Sequence, residues 1–92
     1  MASVSVGKTA ITNAENVCSG AIQDLNKSME KLKRSYADAG SNGWGDNKYK
    51  QLGDIVNGCV DKLQSPIEDL FDCLKKLEEM YKAIEAYEDT NL

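Results

Sequence analysis

The stretch "AGSNGWGDN", Ala39 to Asn47, decides how this chain folds. It packs three glycines, two asparagines, a serine and an aspartate around Trp44, the only tryptophan in 92 residues. Glycine and asparagine tolerate the backbone conformations that end helices and turn chains. Gly40 is the expected C-cap of a helix that precedes the stretch, and Asp46 the expected N-cap of a helix that follows it.

Upstream, Ile11, Ala14, Cys18, Ile22, Leu25, Met29, Leu32 and Tyr36 recur every three or four residues. Thr12 with Glu15 makes a capping-box pattern near the start. The spacing predicts an amphipathic helix over residues 10–39, preceded by a mobile arm over 1–9 that lacks helical periodicity. Downstream, Leu52, Val56, Cys59, Leu63, Ile67, Leu70, Leu74, Leu77, Tyr81 and Ile84 predict a longer second helix over 47–89.

Pro66 falls inside that second helix, and "SPIE", Ser65 to Glu68, also reads as a fresh capping box. The apolar stripe stays in phase across it, so one helix kinked near Pro66 is expected, with a break into two helices as the alternative. Each stripe carries one step of two successive fours, at Ala14, Cys18, Ile22 and at Cys59, Leu63, Ile67. Folding back about residue 42 brings these two stutters level, as paired helices require.

The expected fold is therefore all-α, an antiparallel helix-turn-helix hairpin forming a single domain over 1–92. The first helix is expected to run out opposite about residue 75. Leu77, Met80, Tyr81, Ile84 and Tyr87 then have no helix of their own chain to cover them, while Tyr49, Val60 and Phe71 widen the stripe. A dimer of hairpins, forming a four-helix bundle, is the economical way to bury them, with Tyr49, Val60, Phe71, Leu77, Met80 and Ile84 at the interface.

Composition narrows the chemistry. The formal charge is -4, and Lys31, Lys33 and Arg34 read as a solvated helix face, so a nucleic-acid partner is not expected. Histidine is absent, which removes the commonest general base and metal ligand. No catalytic, metal or cofactor residue is expected. Cys18, Cys59 and Cys73 show no metal-binding spacing. Cys59 and Cys73 lie about 21 Å apart on one helix, too far for a bond within the chain. The pattern "ASVSVGKT", Ala2 to Thr9, matches a phosphate-binding loop in letters, but no strand precedes it and no parallel sheet is expected. The acidic residues late in the chain alternate with Lys75, Lys76 and Lys82 at helical spacing, as a solvated face does. Stable membrane insertion is not expected, nor is a cleaved signal peptide.

Two helices, a tryptophan in the turn, and Tyr81 with Glu85 in "YKAIE" near the end of the second helix together resemble the W-x-G family, the early-secreted-antigen-like proteins of type VII secretion systems. The resemblance covers nearly the whole chain in architecture, but only Trp44, Tyr81 and Glu85 in motif. It implies a non-enzymatic protein made in a bacterial cytoplasm and secreted without a cleaved signal peptide, as a homodimer or as a heterodimer with a related helical protein or a larger effector. Family members act as secretion substrates, co-secretion partners, and virulence or competition factors. The resemblance further implies recognition by a secretion ATPase through a bipartite signal: Trp44, Gly45 and Asp46 in the turn, and Tyr81 with Glu85 near the C-terminus. Where the family has W-x-G, this chain has Trp44, Gly45, Asp46, a W-x-D variant. An intracellular helical adaptor that binds a partner protein's helices is the alternative reading.

Overall fold

The computed structural model describes residues 2–90 in backbone and 4–88 in side chain. Two helices, α1 (Ala2–Ser41) and α2 (Asn47–Thr90), form a helical hairpin, with no strand among the described residues. The packing divides into two units, a turn unit of Gln23–Glu68 and a terminal unit of Met1–Ile22 with Asp69–Leu92.

In the turn unit, Gly43 ends α1. Its φ of 95° lies in the left-handed region that side chains disfavour. Trp44 N–H donates to the Ala39 carbonyl at 3.2 Å and Gly43 N–H to Gly40 at 3.1 Å, the pair of bonds that defines a Schellman motif. The cap is thus Gly43 and not Gly40. Asp46 begins α2 as expected: its Oδ1 accepts from the backbone N–H groups of Lys48 and Tyr49 at 2.9 and 3.1 Å. Two of the donors that a helix start leaves orphaned are satisfied by that one carboxylate.

Gly40 is committed elsewhere. The Tyr49 phenol lies so close over it that an added Cβ would collide with the hydroxyl, and Tyr49 Oη donates to the Tyr36 carbonyl at 3.2 Å. Tyr36 does the reciprocal thing on α2, where a Cβ on Gly53 would stand 2.6 Å from its hydroxyl. Between the two glycines the rings stack, with centroids 4.3 Å apart and planes 9° from parallel. Offset-stacked aromatic pairs of this kind add about 0.5–1.5 kcal/mol beyond burial.

This arrangement sets the register of α2. Because Tyr36 fits only over a glycine, Gly53 faces inward where Leu52 was expected, and Val60 follows seven residues later where Cys59 was expected. Gly53, Val56, Val60 and Ile67 are buried, and Cys59 is exposed. On α1, Ala14 is exposed while Glu15 is half-buried. The inward positions then alternate threes and fours throughout each helix, so neither stripe contains the expected stutter. α2 continues as helix through Pro66.

The terminal unit corrects the expected arm. Helix α1 begins at Ala2, with Val4, Gly7 and Lys8 half-buried and Ile11, Cys18 and Ile22 buried. Gly7 stands against Ile84, a Cβ there meeting the Ile84 Cδ1 at 3.8 Å, and Lys8 Nζ pairs with Glu88 Oε2 at 3.0 Å. Cys18 donates its S–H to the Leu70 carbonyl at 3.2 Å. The first residues are poor helix formers, but packing against α2 supplies what propensity does not. The second helix is only slightly longer, 44 residues against 40, and the expected uncovered overhang beyond residue 75 is not present.

Candidate recognition surfaces

Trp44 is presented by the turn without being buried in it. It is 42% exposed, and its ring centroid lies 5.8 Å from that of Tyr49 at a tilt of 52°. The Schellman bonds fix its backbone, and the Tyr36–Tyr49 stack gives its ring a wall. Gly45 and Asp46 are exposed beside it, with Asp46 engaged as the helix cap. An indole held this way loses little further freedom on binding, which favours recognition.

The structure brings Tyr81 and Glu85 together in the terminal unit. With Thr12, Glu15, Glu78 and Lys82 they line an open groove of about 280 Å³. Outside that lining, Lys8 is the neighbour of Tyr81 that sequence reading missed: its ammonium lies 5.4 Å from the Tyr81 ring centroid while it pairs with Glu88. Tyr81 is therefore half-buried and capped by a cation, where the sequence suggested an uncovered aromatic. The hydrogen bond to Glu88 raises the Lys8 pKa above its ordinary value, and the Glu88, Tyr81 and Glu85 charges add to this against an opposing effect of burial. Such a lysine stays protonated at neutral pH and is poorly suited as a nucleophile or base. No local signal marks it, because its partner Glu88 comes from the other end of the chain and the expected stripe placed Ala14, not Glu15, on the inward face of α1.

The residues Gly7, Lys8 and Thr9 of the phosphate-loop pattern are helical, so their backbone N–H groups do not form a cradle. Among the described residues no cluster of histidine, cysteine or acidic side chains is arranged to hold a metal ion, and no helix is long and apolar enough to cross a membrane.

The expected interface residues separate into two sets. Val60 is 6% exposed and belongs to the interior of the turn unit, while Tyr49, Leu77 and Ile84 are half-buried. Phe71 at 52% and Met80 at 56% are exposed. Met80 also lines an apolar groove of about 380 Å³ with Val4, Ala83, Ile84 and Tyr87.

Comparison with family models, with curated proteins and with solved structures finds no match.

Proposed function

We propose that this chain is a substrate or co-secretion partner of a type VII secretion system, exported as a dimer with a second helical protein or with itself. The observation that carries the reading is the turn: Trp44 stands 42% exposed between two antiparallel helices, on a backbone fixed by capping at both sides. A turn that existed only to reverse the chain would not need an indole there. Tyr81 and Glu85 supply the second element, one helical turn apart on the same groove. Lys8 and Glu88 position that element by holding the Tyr81 ring, so recognition falls on its exposed edge and on the Glu85 carboxylate. Export is measured as protein in the culture medium of a host with an active type VII system. Trp44→Ala and Tyr81→Ala should each abolish it while leaving helicity intact, and undiminished export of both variants overturns the reading. Retention of the unaltered chain in the cytosol of that host supports the intracellular adaptor instead.

A further inference from the structure

Asparagine is followed by glycine at two places, Asn42 with Gly43 in the turn and Asn57 with Gly58 inside α2, and both pairs belong to the turn unit. Such a pair is unusually reactive, because glycine has no side chain to shield its backbone nitrogen from the neighbouring amide. A Cβ built on either glycine meets nothing within 4 Å, and all four residues are exposed, so crowding and access to water do not distinguish the two pairs. The backbone does. Asn57 and Gly58 have helix on both sides, where each N–H is tied to the carbonyl four residues back. Asn42 stands just past α1: its N–H still donates to the Asp38 carbonyl at 3.0 Å, but the chain beyond it is no longer helical. The Gly43 N–H donates only to the Gly40 carbonyl, at 3.1 Å, as part of the Schellman motif.

We infer that Asn42 is a site of spontaneous deamidation, gated by opening of the cap that ends α1. Helix ends open at far lower cost than helix interiors, and at Asn42 only the two Schellman bonds must break before its ψ can turn. The Gly43 nitrogen then attacks the Asn42 side-chain amide carbon. A bond forms between them, the Gly43 amide proton passes to water, and the side-chain nitrogen leaves as ammonia, closing a five-membered imide. Water opens this ring in one of two ways: addition at the side-chain carbon gives aspartate, and addition at the main-chain carbon gives isoaspartate. Isoaspartate inserts one more carbon into the main chain between residues 42 and 43, which moves the Gly43 and Trp44 N–H groups off the Gly40 and Ala39 carbonyls. Either product also adds a carboxylate at the negative end of the α1 dipole, with no basic residue in the last turn to offset it. The φ of 95° that ends α1 demands a glycine at position 43, and that same glycine exposes the nitrogen that undoes the cap. The turn therefore carries a slow, one-way chemical release of the Trp44 backbone, while the Asp46 cap on the other side stays intact.

The test is peptide mapping by mass spectrometry on the full chain aged in neutral buffer, reading the mass gained when NH2 becomes OH at each asparagine. In the folded chain Asn42 should convert at least about tenfold faster than Asn57, because its opening is the easier one. In concentrated urea both pairs are freed from structure, and the two should convert at similar rates. Methyl labelling by an isoaspartate-specific carboxyl methyltransferase should mark position 42 of the aged protein. Asn42→Gln should stay unmodified, since its longer side chain would have to close a six-membered ring. Residue-resolved amide hydrogen exchange of the aged protein should be at least about tenfold faster at Gly43 and Trp44 than in the fresh protein. The Lys48 and Tyr49 amides, held by Asp46, should keep their protection. In Asn42→Asp, which keeps the ordinary backbone, exchange at Gly43 and Trp44 should rise less. Equal conversion of Asn42 and Asn57 in the folded chain overturns the gating, and conversion of Asn42 only in urea overturns the site. Unchanged exchange at Gly43 and Trp44 in the isoaspartate form overturns the release of the cap. None of these readouts depends on export.

Discussion

Tyr36 and Tyr49 stack face to face at 4.3 Å, and each lays its phenol over a glycine of the opposite helix. Glycine inside a helix normally costs about 0.5–1 kcal/mol relative to alanine. At Gly40 and Gly53 the missing side chain is what admits a ring, so the usual sign should reverse. Gly53→Ala is expected to destabilise the protein by about 1–3 kcal/mol, as overpacking does. Urea denaturation reads this directly: a gain in stability would mean that the tyrosine does not occupy that space.

Capping of α2 rests on a single carboxylate. Asp46→Ala should cost about 1 kcal/mol, and Asp46→Asn much less, because the amide oxygen can accept the same backbone bonds. Equal losses for the two substitutions would contradict the capping geometry. Export measured on the same pair separates this structural role from any part Asp46 has in recognition.

Tyr36 and Lys8 make stability pH-dependent on the alkaline side. Hydrogen bonding with Tyr49, then burial, raises the Tyr36 pKa above the ordinary 10.0, and pairing with Glu88 raises that of Lys8 above 10.5. Both groups hold their protons more tightly when folded, so their contribution is complete below the ordinary values and is lost as pH rises through the raised ones. The melting temperature should therefore fall above about pH 10. In Tyr36→Phe, Lys8→Met the fall should be shallower; an unchanged alkaline limb would show that other groups cause it.

The register of α2 is testable at one site. Val60→Ala should cost about 1–3 kcal/mol, since Val60 is 6% exposed. Val17→Ala, at a position 74% exposed, should change stability by no more than about 0.5 kcal/mol. Similar effects from the two would place Val60 outside the core.

The helices and the reversal between them were legible because apolar periodicity and helix-stopping residues are local signals. Asp46 was legible as a cap for the same reason. The N-terminal extent of α1 was not, because Ser3, Ser5, Gly7 and Thr9 have weak helix propensity and the stabilising contacts come from Ile84 and Glu88, about 80 residues away. The register of α2 was misread because hydrophobicity ranks Leu52 and Cys59 above Gly53, whereas fit to the Tyr36 ring selects the glycine. In the candidate recognition surfaces, Trp44, Tyr81 and Glu85 were singled out through the family resemblance, and Lys8 was not. A lysine that caps an aromatic looks in sequence like any solvated lysine.

Trp44 is the chain's sole indole, and it sits beside Tyr49 in the turn unit. Its emission therefore reports on that unit alone, and the terminal unit is optically silent at indole wavelengths. Chemical denaturation followed by tryptophan fluorescence and by helix dichroism thus compares the turn unit with the whole chain. Coincident curves would mean that the two units melt together, and separated curves that the hairpin opens in stages.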